Sequence, residues 1–429
     1  MLITRPGRRV FATLLLTAAL TACTPGTERV ASSAREVEII LPNFPQLITS
    51  VERTLDRGFT DRTGIKVRLI KVGDTSYTGV DQRVQNDLIA GRVPDLVITG
   101  LNSLRTYADA KRATPLDPLI SGDRSFDLAD FYPRLLDLGR FDGTVYGIPY
   151  GVSTYTLYYN ADVFRKAGLD PGEPPRTFSE LREAAAAIKS SRSAPNGVVI
   201  RSDHIGSYGF QNFLGSGGGG FMNPEETQVA FNSSAGASIV TFWADLRRRG
   251  HGRTLPNQQA GDAFTRGDAG MVLQSSSYSA TLRAQVTFDV RSAPFPIPDG
   301  GTRRAVAGGA AIASFTADRA RLQDQWTVIK ELVGPRGVTN LVNASGFAPI
   351  NKKAATDPRY LGGYLERNPL AKPAWDQMAH LVPWYQFPGT HNVEIAKSMT
   401  DQINGAIAGD RTPRAALDEA AATVSELIK

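Results

Sequence analysis

Residues 141–181, FDGTVYGIPYGVSTYTLYYNADVFRKAGLDPGEPPRTFSEL, decide the fold. Asp142-Gly143 makes a turn that feeds short runs rich in Val, Tyr, Ile and Thr, which suit a pleated, half-buried surface. From Pro149 to Thr154 the residues do not suit a regular central strand, because Pro149 lacks an N–H and Gly151 is free in its backbone angles. An apolar, aromatic strand follows at 156–159. An interruption of this kind between two strands predicts a chain leaving one domain and entering another. Asn160 or Ala161 then opens a short helix that Gly168 ends. Thr177 caps a longer helix, with Glu180 three residues on completing a capping box.

Length agrees with two domains. A chain of 429 residues exceeds what one hydrophobic core organises, and 41% apolar residues supply material for two. The formal charge is +6, but Arg5, Arg8 and Arg9 lie in the leader described next and account for half of it. No basic cluster or recognition motif points to nucleic acid.

The first residues are a processing segment. Arg5, Arg8 and Arg9 form a positive n-region before a short apolar core at 10–20, so residues 1–22 read as a signal peptide. Leu20-Thr21-Ala22-Cys23 has the form of a bacterial lipoprotein cleavage box, which makes Cys23 the lipidated, palmitate-bearing first residue of the mature chain. Residues 23–35 then serve as a lipidated stalk. Cys23 is the one cysteine, which excludes an internal disulfide or a Cys-based metal site. Arg8-Arg9-Val10-Phe11 leaves both general secretory and twin-arginine export open.

Downstream, strands predicted at 37–41, 65–72 and 94–99 alternate with helices at 46–59, 77–90 and 103–110, the pattern of an α/β layered domain. In such a sheet a ligand lies beyond the carboxyl ends of the strands. That places Tyr77, Thr99 and Asn102 at a candidate cleft, while Asp95 braces a strand start. The run Gly217–Gly220 lacks the context of a phosphate-binding loop and is read as a bare-backbone turn. No HExxH, GxSxG, EF-hand or zinc spacing occurs, and the histidines at 204, 251, 380 and 391 are scattered. Neither an enzyme nor a cofactor is expected.

The series YGIPY, YYNADVF, AGL and TFSEL resembles the central signature of bacterial extracellular solute-binding proteins of the carbohydrate-uptake type, which serve ABC importers. The resemblance extends through AGRVPDL at 90–96, AFTRGDAGM at 263–271 and GFAPI at 346–350. It implies an α/β, two-lobed periplasmic-binding-protein fold with interlobe hinge crossings and a ligand cleft. Lobe 1 is expected over 36–149 and 294–345, and lobe 2 over 150–293 and 346–429. It also implies an extracytoplasmic monomer working with two membrane permease subunits and a cytoplasmic ATPase.

Sugar recognition calls for aromatic faces and a ring of hydrogen-bonding groups. Tyr77, Tyr155, Tyr278, Trp384 and Tyr385 offer faces. Thr99, Asn102, Ser153, Thr154, Ser276, Gly308, Gly309 and His391 offer polar contacts, and the backbone N–H groups of Gly218 and Gly219 offer donors. The serine-rich GIPYGVST resembles the glycerol-3-phosphate binders. In those proteins, however, an arginine near the carboxyl-side helix holds the phosphate, and the corresponding GTHNV at 389–393 has none. The expected ligand is therefore an oligosaccharide or amino-containing sugar. The alternatives are glycerol-3-phosphate or a glycerophosphodiester, and a lipid-anchored sensor uncoupled from transport.

Overall fold

Runs of β-branched and aliphatic residues form the strands, and the helices between them pack back onto the sheets. The computed structural model describes residues 35–73, 77–203 and 205–429. The expected signal peptide, Cys23 and all of the stalk before Arg35 lie outside the described residues.

The chain first runs β1 (Glu36–Pro42), α1 (Pro45–Thr54), β2 (Lys66–Val72), α2 (Tyr77–Ile89), β3 (Leu96–Gly100) and α3 (Leu104–Asp109). It reaches β4 (Ile148–Ser153), passes through Thr154 and enters β5 (Tyr155–Asn160). Next come α4 (Phe178–Ser190), β6 (Asn196–Arg201), α5 (Phe210–Ser216), α6 (Ser234–Arg248), β7 (Gly252–Leu255), β8 (Ala269–Ser275) and β9 (Val290–Pro294). The longer elements of the rest are β10 (Gly308–Ser314), α7 (Arg319–Val333), α8 (Pro335–Ser345), α9 (Asn392–Ala408) and α10 (Pro413–Leu427), with short helices between α8 and α9.

Two five-stranded sheets result, in the orders β2-β1-β3-β10-β4 and β9-β5-β8-β6-β7. In the first, β1 lies parallel to β2 and β3, while β10 runs antiparallel between β3 and β4. In the second, β6, β7 and β8 are parallel and β5 is antiparallel to β8. Each sheet has its own core. Ile39, Val97, Ile98, Ile148 and Ile312 are among the residues packing the first, and Leu157, Phe213, Trp243, Leu273 and Phe295 are among those packing the second.

Local chemistry explains the element ends. Thr177 accepts the Glu180 N–H while Glu180 reaches back to the Arg176 N–H, so the expected capping box forms one residue wide of its usual register. Asn160 caps the short helix after β5 by accepting from Asp162 and Val163. Asp95, 4% exposed, accepts from the Glu38 N–H, the Arg321 guanidinium and Gln325 Nε2, which ties β1 and α7 to the start of β3.

The lobes interchange chain three times, at Ser153–Tyr155, near Val306–Gly308, and around residues 378–384. The last two differ from the expected boundaries. Phe295, Ala305 and Val306 still pack in the second core, so the return to lobe 1 begins at Ala307 and not at 294. Ile350, Ala354, Leu361, Tyr364 and Ala371 pack in the first core, so residues 346–378 belong largely with lobe 1 and the final crossing comes later. Helices too short to carry a clear apolar period left that segment without a signal of which core it joins.

Candidate functional site

The carboxyl ends of the parallel strands in both sheets open onto one cavity of about 900 Å³. From lobe 1, the chain leaving β1 brings Phe44, α2 brings Tyr77 and Asp81, and the exit of β3 brings Asn102 and Ser103. From lobe 2, the exit of β6 brings Arg201 and Asp203, the exit of β8 brings Ser275, Ser277 and Tyr278, and the segment after it all, 384–387, lines one end.

Of the residues expected from sequence, Tyr77, Asn102, Ser153, Tyr278, Gly308, Gly309, Trp384 and Tyr385 line this cavity. The others lie elsewhere. Thr99 is fully buried and donates to Asp81 Oδ1 at 2.9 Å. Thr154 is fully buried at the crossing, where its N–H donates to Ser276 Oγ and its own hydroxyl accepts from Gln377 Nε2 at 2.9 Å. Ser276 is thereby a hinge contact. Tyr155 points into the second core against Tyr208, Phe213 and Phe295. Its place as the first residue of a strand buried on both faces left no outward side. The N–H groups of Gly218 and Gly219 close the end of α5 by donating to Gly215 and Leu214 carbonyls, so they are not free donors to a ligand. His391 is half exposed beside Glu394, 2.9 Å away, off the cavity wall.

Among the wall residues that the sequence reading missed are Asp81, Arg201, Tyr208 and Gln211. Arg201 carried a signal, since an arginine ending the apolar run VVIR stands at a strand exit just as Asn102 does. Tyr208 lies in a π-helical turn, Ile205–Gly209, which has no periodic signature.

Aromatic faces define the cavity. Trp384 stacks on Tyr208, Tyr385 stacks on Phe221 with centroids 5.3 Å apart, and Phe44 meets Tyr77 edge-on at 5.4 Å. Burial, with the nearby Asp262 charge adding to it, pushes the Tyr278 hydroxyl up to about 12, so it stays a neutral donor at physiological pH. Tyr208 donates to the Ser153 carbonyl at 3.1 Å and so spans the crossing. Gly308 leaves room there, since a Cβ would lie 2.8 Å from Ser153 Oγ and 3.0 Å from Tyr208 Oη.

Two buried charges face the cavity. Burial pushes the Asp81 carboxyl up, opposed by hydroxyl donors from Ser103, Tyr107 and Thr99. In lobe 2 the Arg201 side chain is 8% exposed. Its Nη1 donates to Gln274 Oε1 at 2.9 Å, and its Nε and Nη2 donate to the two oxygens of Asp203. Gln274 is held in turn, donating to Asn257 Oδ1 at 2.9 Å. A guanidinium has five N–H donors, and three are used here. Among the described residues no group of three or more His, Cys, Asp or Glu could hold a metal ion.

Two α/β lobes joined by three crossings around an aromatic, hydrogen-bonding cleft are built to enclose a small polar solute. The model of the bacterial extracellular solute-binding protein family matches residues 44–333. The chain belongs to that family. Such proteins are not catalysts; this one is the extracytoplasmic binding component of an ABC importer for a small polar ligand.

The sn-glycerol-3-phosphate-binding periplasmic protein UgpB of Rhizobium meliloti is 25% identical over 321 residues, covering 70% of this chain and 72% of that protein. The protein of the same description from Escherichia coli K12 is 25% identical over 328 residues, 71% of this chain and 72% of its own. In fold, the chain is similar to UgpB from Mycobacterium tuberculosis in complex with glycerophosphocholine, with a TM-score of 0.79 at 23% identity over 92% of this chain and 98% of that one. It is also similar to the cyclic alpha-maltosyl-1,6-maltose binding protein from Arthrobacter globiformis, with a TM-score of 0.78 at 23% identity over 92% of this chain and all of the other. Among the described residues of this solute-binding protein, no helix is long and apolar enough to cross a membrane.

Proposed function

We propose that this protein captures a glycerophosphodiester, or the related glycerol-3-phosphate, and delivers it to the permease pair of its importer. The observation that carries this reading is Arg201. The sequence argument for a sugar rested on the absence of an arginine near residues 389–393. Arg201, at the exit of β6 in the same lobe as those residues, supplies a buried guanidinium that is ion-paired to Asp203 and has two N–H groups beyond those given to Gln274 and Asp203. A guanidinium fork matches phosphate oxygens, and a partly desolvated one binds them more strongly than an exposed lysine does. The curated relatives named for sn-glycerol-3-phosphate support the same choice.

In this reading Tyr77, Asn102, Ser153, Tyr278, Gly308, Gly309, Trp384 and Tyr385 contact the ligand. The glycerol hydroxyls meet the polar groups of lobe 1, and the organic substituent of the diester meets the aromatic faces. The protein is tethered outside the cell membrane through lipidated Cys23 after removal of residues 1–22. A second reading, an oligosaccharide, is favoured by the stacked pairs Tyr208–Trp384 and Phe221–Tyr385, whose flat faces suit sugar C–H surfaces.

Thermal shift separates the two. A ligand that binds only the folded state adds about 2.7 kcal/mol at one hundred times its Kd. Glycerophosphocholine and glycerol-3-phosphate should each raise the melting temperature, and maltose, maltotriose and glucosamine should not. A shift with the sugars alone would replace the phosphate reading with the second one.

A further inference from the structure

One end of the cleft is closed by polar contacts that pass from lobe to lobe, and Glu226 stands at their centre. Glu226 lies in the turn between α5 and α6, where Asn223 Oδ1 accepts the N–H groups of Thr227 and Gln228, both at 2.8 Å. The turn so fixed holds Glu226 in the left-handed region, with φ 52°. An L residue other than glycine adopts that conformation at a cost, and it persists where the surroundings impose it.

The carboxylate leaves lobe 2 and meets α3 of lobe 1. Arg105 donates from Nη1 to Oε1 at 3.1 Å, and its Nη2 lies 2.9 Å from Oε2. The pair is part-buried, with side chains 15% and 32% exposed, so solvent screens it less than a surface pair. Oε1 also accepts the Tyr385 hydroxyl at 3.0 Å. Beside this, Gln386 donates to the Leu101 carbonyl at 3.0 Å and accepts the Arg105 N–H at 2.9 Å, and the Gly389 N–H donates to Asp109 at 2.8 Å.

We infer that Glu226 is a positioning residue for ligand capture, holding Tyr385 against the cavity and clasping Arg105 across the cleft so that the lobes stay closed on their ligand. A rotation about the three crossings changes distances little at the crossings and most at the cleft edges. Tyr385, Gln386 and Gly389 follow the third crossing directly, whereas Arg105 on α3 and Glu226 in the α5–α6 turn come from separate elements of the two lobes. Their pair is therefore the contact of this set that an opening rotation would break. The inference rests on the cleft being the ligand site, but not on which ligand fills it.

The test compares the full chain with Glu226→Gln, which keeps the shape and loses the charge, and with Arg105→Lys, which keeps the charge and loses the fork. Small-angle scattering without ligand should show a larger radius of gyration for both variants. Stopped-flow fluorescence with glycerophosphocholine should show dissociation at least tenfold faster for Glu226→Gln, with association changed less than threefold. The exchange Arg105→Glu with Glu226→Arg should bring both readouts back toward wild type. Unchanged scattering and dissociation would overturn the inference, as would a lowered melting temperature with no change in either. If glycerophosphocholine binds neither protein, the proposed ligand class falls, while the scattering comparison still decides the clasp.

Discussion

The indole of Trp384 lies parallel to the ring of Tyr208, with centroids 4.8 Å apart and planes 5° from coincident. Tyr208 is fixed from behind by its hydrogen bond to the Ser153 carbonyl at the first crossing. An aromatic face of the cleft is therefore seated directly on the hinge, and closure carries it with the backbone.

Trp384 is the one tryptophan among the described residues that lines the cavity. Ligand binding should change the intrinsic fluorescence, and Trp384→Phe should abolish most of that change. Trp384→Ala should weaken binding by about 1–2 kcal/mol, as expected for an aromatic anchor. A full fluorescence response from Trp384→Phe would remove the stack from the site.

Tyr278 closes the lobe 2 side at the exit of β8. Tyr278→Ala should weaken binding by at least about 1 kcal/mol, measured by titration calorimetry on protein whose melting temperature is checked in parallel. Unchanged affinity in a folded variant would take Tyr278 out of contact with the ligand.

Two glycines should respond to different degrees. Gly309 has φ 114°, and a Cβ there would lie 2.1 Å from the Gly151 carbonyl oxygen. Gly309→Ala should cost about 2 kcal/mol or more, combining overpacking with backbone strain. Gly218, at φ 80°, has nothing within 4 Å of the same atom. Gly218→Ala should cost about 1 kcal/mol and leave affinity intact. Urea unfolding reads the first pair of values and calorimetry the last.

Acid should act through Asp123. Lys330 at 2.6 Å, Ser125 and Trp326 Nε1 hold this carboxyl well below the usual carboxylate range. A lowered folded-state value means that the unfolded chain takes up the proton first as pH falls. The stability from Asp123 is complete above its unfolded value of about 3.9 and is lost as pH falls through the depressed folded value. Asp123→Asn should lose about 1–2 kcal/mol at neutral pH and show a shallower fall in stability below pH ~4. Equal acid dependence in both proteins would contradict the assignment.

The two-lobed fold was legible because its signals are local. Asn160 and Thr177 cap helices through their own side chains, whereas Pro149–Gly151, read as an interruption, lie within β4, an edge strand whose pairing shifts register opposite them, and the crossing itself falls at Ser153–Tyr155. The site was most legible at strand ends, where Asn102 and Tyr278 follow β3 and β8 and the Gly308-Gly309 pair opens β10. Tyr155 failed as a cleft face because a strand buried on both sides has no alternation to read. Gly218 and Gly219 failed as donors because α5 ends there and takes their N–H groups. Arg201 needed recognition that a charged residue closing an apolar strand marks the strand's carboxyl end. Glu226 carried no sequence signal, since its partner Arg105 is distant in the chain and meets it only when both lobes have folded.

The central claim is most directly tested by titrating glycerophosphocholine, calorimetrically and at fixed salt, into the wild-type protein and Arg201→Met. Loss of charge-assisted hydrogen bonds predicts a Kd at least about thirtyfold higher for the variant, about 2 kcal/mol, with maltotriose silent in both. Equal affinity in the two proteins, or wild type that takes maltotriose and ignores the phosphodiester, would contradict it.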